Sequence, residues 1–541
     1  MCEPTRQLCR IPRKGLSCQY GLIQIYYRAI IMRDHLMLPC DTNYEEYLHD
    51  ESRSTGHADT ISFPRSTEEV IAIIDAVRAQ GTTLTVQGAR TGITAAAVPH
   101  GGHLMSLEYM NAIGNIIHDA ISGQATILVQ PGVRLSDLRL AVAAAGWYFP
   151  PDPTEVSCSI GGMVACNASG AQTFYYGATR HWIKSLHVAL SDGTTLTLER
   201  GKQPVPRRTF ALKTDDGRTI TGQLPDYTMP SVKNAAGYYV ADEMELIDLF
   251  IGMEGTLGII TEIELRLIPP PIALLGLLIF LPTEDAALQC VNQLRDGTLT
   301  EMSVATHLVA IEYFDHHALS LFHRFKTAFN AFENVPSLPA SFHNAVYVEF
   351  HGDSDETLFA LLSPLLEMVD TLHGDSDACW CATTPHELLP LKAFRHAIPE
   401  AVNMLIGQRR QVMPGLTKLG TDMSVPDAEL LATMTMYRRE LDRSGLESVI
   451  FGHIGNNHLH VNILPNSPED YARGKALYLV WAQQILAGGG SIAAEHGIGK
   501  LKIDFLHLMY GEEGIAQMRA VKSLFDPFGM FNPGNLFEAT S

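Results

Sequence analysis

Residues 252–271 read GMEGTLGIITEIELRLIPPP, and their interpretation decides the architecture of the chain. Gly252, Gly255 and Gly258 open the stretch, so backbone N–H groups there can approach an anion closely. Ile263, Leu265 and Leu267 then alternate with Glu262, Glu264 and Arg266, the period of a strand with one wet face. Pro269-Pro270-Pro271 breaks any regular element and marks the best domain boundary in the chain. A glycine-rich front half and a chemically different back half follow from this division.

Working upstream, Ser66 followed by Glu69 predicts a capping box. Val70, Ile73, Ile74 and Val77 continue it as a helical stripe that ends at Gly81. A short strand, Leu84–Gln87, runs into the turn Gly88-Ala89-Arg90-Thr91-Gly92. A second small-residue loop is Ser159-Ile160-Gly161-Gly162 with Asn167-Ala168-Ser169-Gly170, and a hairpin is expected around Asp192-Gly193. Taken singly, each loop reads as a plain turn. Three of them between Gly88 and Gly258 favour a dinucleotide held by backbone groups. No GxxxxGK[ST] occurs, and no GxGxxG follows a strand, so neither a P-loop nor a Rossmann site for NAD is supported.

Downstream of the prolines, IALLGLLIFL (272–281) is too short for a bilayer, which needs about 20 residues, and predicts a buried strand. The most informative stretch is FGHIGNNHLHVNI (451–463). His458, His460 and Asn462 alternate with Leu459, Val461 and Ile463, which puts two imidazoles and an amide on one strand face. With His453 at the preceding glycine turn, the pattern favours a catalytic or metal site, and imidazole suits Zn²⁺ or Fe²⁺. On the residues alone, Glu495 in SIAAEHGIG (491–499) is either the third ligand or a solvated loop charge.

The 541 residues carry 39 basic against 59 acidic side chains, a net charge of −20. That length suggests two to four domains, and that charge makes nucleic acid or an anionic membrane a poor main partner. A hydrophobic share of 46% with only 18% charged residues fits a folded chain. Nine cysteines include no CxxC, so neither an iron–sulfur cluster nor a zinc finger is indicated, and reduced thiols are expected. Arg6, Arg10, Arg13, Lys14, Arg28 and Arg33 face a single acid, Glu3, near the start. Such a segment reads as a mitochondrial transit peptide or as an extension ahead of Met32 or Met37. The expected location is cytoplasmic, with the mitochondrial matrix or the face of the inner membrane as alternatives.

In order along the chain stand DESRSTGHADTISFPRSTEEV (50–70), VQGARTGITAAAVPHGG (86–102), PPDPTEVSCSIGGMVACNASG (150–170), YGATRHWIKSLHVALSDG (176–193) and GMEGTLGIITEIELRL (252–267). Together they resemble the flavin-binding domain of the vanillyl-alcohol oxidase superfamily. More narrowly, the chain is similar to the D-lactate/D-2-hydroxyglutarate dehydrogenase and glycolate oxidase flavoprotein branch, from about Asp50 to Phe537. The resemblance implies an α+β fold: an extension (1–43), a two-subdomain FAD-binding domain of the vanillyl-alcohol oxidase (PCMH) type (44–270), and an α+β substrate or cap domain with an antiparallel sheet (271–541). It implies that Gly88, Ala89, Arg90, Thr91, Gly92, Gly161 and Gly162 hold the FAD pyrophosphate. Pro153, Asn167, Ser169 and Gly170 would line the flavin, and Glu254, Gly258 and Ile260 the adenosine side. Asn532, in FNPGN (531–535), would return to the flavin. Relatives usually carry glycine or asparagine at Ala89 and Arg90; Arg90 would add a charge-assisted bond.

In the back half, GHIGNNHLHVN (452–462) and AEHGIG (494–499) resemble the metal and active-site motifs of the same branch. The resemblance makes His453, His460 and Glu495 ligands of a divalent metal, zinc or iron, His496 the catalytic base, and Asn462 a substrate contact. Arg395, in FRHAIPE (394–400), would clamp the substrate carboxylate, and Lys418, which lies near the family's substrate-binding lysine, would also bind substrate. Relatives usually carry asparagine at His458 and aspartate at Asn456. The implied activity is oxidation of a D-2-hydroxy acid to the 2-oxo acid. The electron acceptor would be an electron-transfer flavoprotein, a quinone-linked protein or oxygen, and a homodimer is possible. Two alternatives stand beside it: a glycolate oxidase-like subunit of a complex, and an alkyldihydroxyacetonephosphate synthase-like flavoenzyme. The latter carries three adjacent histidines at its site, where this chain has only His316-His317.

Overall fold

A computed structural model describes residues 36–119, 123–297, 306–329, 331–339 and 343–538; the basic leader lies outside the described residues. Helix Thr67–Gln80 begins at Ser66, whose hydroxyl accepts from Glu69 N, and ends at Gly81 in the left-handed region (φ 64°). The Glu69 carboxylate accepts from Arg65 N at 2.7 Å instead of turning back to Ser66, so only half of the expected capping box forms. Val70, Ile73, Ile74 and Val77 pack against a sheet of order Leu38–Pro39, Thr60–Ser62, His103–Ser106, Leu84–Gln87, whose last three strands run parallel.

The strand quoted at the outset, Ile259–Leu267, is the centre of a five-stranded antiparallel sheet. Its neighbours are Ala125–Val129 and Ile183–Ala189, with Ile113–His118 and Thr195–Glu199 outside them. Ile263, Leu265 and Leu267 are buried, and Glu264 faces Lys184 and Thr126, so the alternation read in the sequence is the alternation of the two sheet faces.

Beyond the prolines lies an eight-stranded antiparallel sheet. Its order is Trp380–Ala382, Ala273–Leu281, Asn344–Gly352, Thr306–Phe314, Ser448–His453, His458–Ile463 and Leu419–Gly420, with Met423–Ser424 also against His458–Ile463. Strand Ala273–Leu281 reads as an unbroken apolar run because both of its faces are covered. Leu275, Leu277 and Ile279 fill one core; Leu278 and Phe280 fill the other, under helix Pro385–Arg410.

The chain then returns to its first half. Helix Ile503–Phe525 places Leu506, Ile515, Met518, Val521 and Phe525 in the core of the five-stranded sheet. Each such side chain contributes roughly 2 kcal/mol on burial. Leu84 N donates to Met530 O and Asn532 N to Leu84 O, both at 2.8 Å, so the C-terminal segment adds a bridge to the edge strand Leu84–Gln87. Among the described residues no helix is long and apolar enough to cross a membrane.

Candidate active site

Strands Ser448–His453 and His458–Ile463 pair with His453 opposite His458 and Phe451 opposite His460. Residues opposite one another share a face, so the three imidazoles gather on one side while Ile450, Leu459, Val461 and Ile463 fill the core on the other. The connecting turn closes with Asn457 at φ 51°, a conformation asparagine tolerates. The ring centroids of His458 and His460 lie 4.5 Å apart, and those of His453 and His460 5.7 Å apart.

The segment Ala494 to Gly499 hangs between two buried carboxylates. Asp422 Oδ1 accepts from Glu495 N (3.1 Å) and Oδ2 from His496 N (3.0 Å), while Asp422 O accepts from Ala494 N (2.8 Å). At the far end, Glu254 Oε1 and Oε2 accept from Ile498 N (2.7 Å) and Gly499 N (2.6 Å). Gly499 is required here: at φ 54°, a Cβ would stand 2.1 Å from Thr94 O. Burial pushes the Glu254 carboxyl up to about 7.

This suspension brings Glu495 to the imidazoles. Glu495 Oε2 is 3.2 Å from His453 Nε2 and 3.7 Å from His458 Nδ1. One ligating atom each from His453, His458, His460 and Glu495 lies within 4.8 Å of the others, a spacing a single metal ion can span. Around them, His453 Nδ1 meets Glu312 Oε1 (2.7 Å), His460 Nδ1 meets Thr421 O (3.1 Å), and His458 Nε2 meets Asp422 Oδ1 (3.1 Å). Ser169 Oγ donates to Glu495 Oε1 (3.0 Å), and Lys233 Nζ lies 3.4 Å from the same oxygen. Burial and Lys233 lower His458 to about 4, and burial with the neighbouring imidazoles holds His460 well below its ordinary value. Both rings are therefore neutral, the form that ligates. Burial opposes charge on His453 too, but Glu312 outweighs it and raises the group to about 9.

A cavity of about 370 Å³ reaches this cluster, a volume in the range of cofactor sites. Its walls include Gly88, Ala89, Arg90, Thr91, Gly92, Pro153, Gly161, Gly162, Ser169, Glu254, Gly258, Ile260 and Asn532. His453, His460, Glu495 and His496 line its other end. Nothing lies within 4 Å of the place where a Cβ of Gly92 would stand, so open space lies against that backbone. Arg90 Nη1 is buried without a hydrogen-bond partner among the described residues, and its guanidinium stacks over Tyr47 at 4.3 Å. Its Nη2 lies 3.8 Å from Glu46 Oε2, and the unpartnered Nη1 beside glycine backbone suits a pyrophosphate.

Residues 276–536 match the C-terminal domain of FAD linked oxidases, and residues 58–199 match an FAD binding domain. A D-2-hydroxyglutarate dehydrogenase of Xanthomonas citri pv. viticola is 30% identical over 503 residues, covering 91% of this chain and 92% of that protein. The chain belongs to the FAD-linked oxidase family. A D-lactate dehydrogenase of Anaerostipes hadrus is 28% identical over 91% of this chain and 92% of its own length. In fold, the chain is similar to 4-ethylphenol oxidase from Gulosibacter chungangensis, with TM-score 0.64 at 18% identity over 98% of this chain and 99% of that one.

In this FAD-linked oxidase, five of the expected residues lie outside the cavity wall. Asn167 ends helix Ile160–Cys166 at φ 48°, and its Oδ1 accepts from Arg180 N. Gly170 packs so tightly on Asp152 O that a Cβ would sit 1.7 Å from it, behind the wall rather than on it. Asn462 lies two residues deeper along the strand than His460, donating to His460 O at 3.3 Å. Lys418 donates to Asn403 Oδ1 at 3.1 Å; burial and the nearby Arg53 lower its pKa. Arg395 is buried on helix Pro385–Arg410, with Tyr347 5.7 Å from its guanidinium. Burial opposes its charge, yet Glu312, Asp152 and Glu349 outweigh that and hold it firmly protonated.

Within the wall, Glu254 does something the motif did not suggest. Its carboxylate carries the His496 loop, while Asn532 braces its carbonyl (Nδ2 to Glu254 O, 3.0 Å) and Val86 N (2.8 Å). Lys233, Glu312, Asp422 and Lys502, which donates to Asp422 at 2.7 Å, were not marked as site residues by sequence reasoning. Glu312 left one usable signal, a single acid in the mostly apolar strand Thr306–Phe314.

Proposed function

We propose that this chain oxidises a D-2-hydroxy acid to the 2-oxo acid, with FAD and a divalent metal. One observation carries the reading: His453, His460, Glu495 and His496 converge on the end of the cavity whose remaining wall is the glycine-rich cradle. A donor set of imidazoles and a carboxylate fits zinc or ferrous iron, with His453 giving up its proton on binding the ion. When bound, FAD supplies the two-electron acceptor for the hydride of the α-carbon, and the metal supplies Lewis acidity toward the α-hydroxyl.

The protein's own part is placement and proton handling. His453, His460 and Glu495 would hold the metal against the cavity. His496 accepts the hydroxyl proton at Nε2, because Nδ1 faces Asp422 Oδ2 at 3.3 Å and is held as the donor. Arg395 supplies the buried positive charge for the substrate carboxylate, and among the described residues it makes no ion pair of its own. On this reading the hydroxyl oxygen stays on the α-carbon as the new keto oxygen, its proton goes to His496, and the α-hydrogen departs separately as a hydride for which FAD would be the acceptor.

A synthase-like reading has less support, since His316 and His317 start helix His316–Phe329 on the surface, outside the cavity wall. A role as a non-catalytic flavoprotein subunit of a larger complex also has less support, since such a subunit should lack the metal site, whereas His453, His460, Glu495 and His496 gather at the cavity. The test is a panel of D- and L-2-hydroxy acids with an artificial electron acceptor, with and without chelator. Chelator-sensitive turnover of D-acids alone is expected. A preparation without flavin absorbance, or turnover indifferent to chelator, overturns the cofactor or the metal part respectively.

A further inference from the structure

The cluster holds one imidazole more than the proposed ligand set needs. Three of its four donors have one polar atom committed outward by a hydrogen bond, and one ligating atom of each of the four lies within 4.8 Å of the others. His453 spends Nδ1 on Glu312, His460 spends Nδ1 on Thr421 O, and Glu495 spends Oε1 on Ser169 and Lys233. His458 has its nitrogens exchanged: Nε2 lies 3.1 Å from Asp422 Oδ1 without forming a hydrogen bond, and Nδ1 faces Glu495 Oε2 at 3.7 Å. Outer carboxylates and carbonyls that fix the tautomer and aim of an imidazole are the usual support of a ligating histidine.

We propose that His458 would be a fourth protein ligand of the divalent metal. The inference rests on the metal reading above. His453, His460 and Glu495 line the cavity, whereas His458 does not, and its exposure is 0%. A donor outside the cavity wall leaves the cavity-facing position free for a substrate oxygen, as a catalytic site requires. The ion then carries four protein donors before substrate arrives. It must accept a fifth, which zinc and ferrous iron both do.

Lys233 offers the competing account. Its ammonium is 3.3 Å from His458 Nδ1 and could donate to the same lone pair. Against it, the ammonium also has Glu495 Oε1 as a partner at 3.4 Å, so it keeps an acceptor when Nδ1 turns to a metal. The two accounts predict different numbers of imidazoles at the ion.

X-ray absorption on the zinc-loaded full chain, with its flavin, counts those imidazoles directly. Three are expected, and two would overturn the proposal. His458→Asn, carrying the residue usual in relatives, should release Zn²⁺ to a competing chelator at least about 10-fold more readily. Its Co²⁺-loaded form should show a changed visible absorption band. An unchanged zinc affinity and an unchanged cobalt band in a variant that keeps its flavin would overturn the proposal while leaving the proposed function intact. A wild-type chain that binds neither Zn²⁺ nor Co²⁺ would overturn both. The absorption measurement uses the wild-type protein, so it decides the matter even where the variant does not fold.

Discussion

Asp422 Oδ2 lies 3.3 Å from His496 Nδ1, and the same carboxylate carries the backbone of Glu495 and His496. One buried acid thus sets both the position of the loop and the tautomer of the residue proposed as base. His496→Ala should lower kcat by roughly 10²–10⁴-fold with little change in flavin content. Full activity in that variant, measured by steady-state kinetics, would remove His496 from the base role.

Asp422→Asn keeps the shape but weakens the orientation of His496. A fall in kcat of about 10 to 100-fold is expected, larger than any rise in KM. If KM moved and kcat did not, Asp422 would be a support of the loop alone.

Arg395→Met removes a buried cation surrounded by Glu312, Asp152 and Glu349. A lost charged hydrogen bond of about 1.5–3 kcal/mol corresponds to roughly 10 to 150-fold in kcat/KM. Arg395→Lys should recover only part of this, because an ammonium cannot bind both carboxylate oxygens in a fork. Equal kcat/KM for 2-hydroxy acids in wild type and Arg395→Met would exclude the clamp.

Glu254 makes stability depend on pH in an unusual direction. Its native pKa of about 7 exceeds the ordinary value of 4.5 because it is buried. The native state therefore binds the proton more tightly than the unfolded chain, and stability falls as pH rises from about 4.5 to about 7. At about 1.4 kcal/mol per unit, the change is at most on the order of 3 kcal/mol. Melting curves near pH 5 and pH 8 should differ more for the wild type than for Glu254→Gln. Parallel shifts in the two proteins would contradict the assignment.

Asn532→Ala should cost about 1–3 kcal/mol, since it leaves Val86 N without its partner, while Glu254 O keeps Asn535 Nδ2 at 3.0 Å. Urea titration of the apo-protein measures this, and an unaltered midpoint would mean that Val86 N finds another partner.

The periodicities that were legible in the sequence are local ones. The alternation through His458–Ile463, the turn at Asp192-Gly193 and the apolar run ending at Leu281 each report a strand's own surroundings. Long-range partners leave no such trace. Lys233 sits 225 positions before His458, and nothing around it distinguishes it from a surface lysine. Glu254 was legible as part of a glycine loop, but its carboxylate serves Ile498 and Gly499, some 244 and 245 positions away. Arg395 and Lys418 were matched by motif, yet the cavity wall does not include them, because a motif reports a residue's neighbours in sequence and not its depth in the fold.

The clamp of Asn532 on Val86 spans 446 positions. At ribosomal rates of about 5–20 residues per second, the strand Leu84–Gln87 waits roughly 20 to 90 seconds for the segment that completes its edge. During synthesis the cofactor cradle is thus an unfinished surface with an open strand edge. A nascent chain arrested before the C-terminal helix would present that cradle with its edge still open.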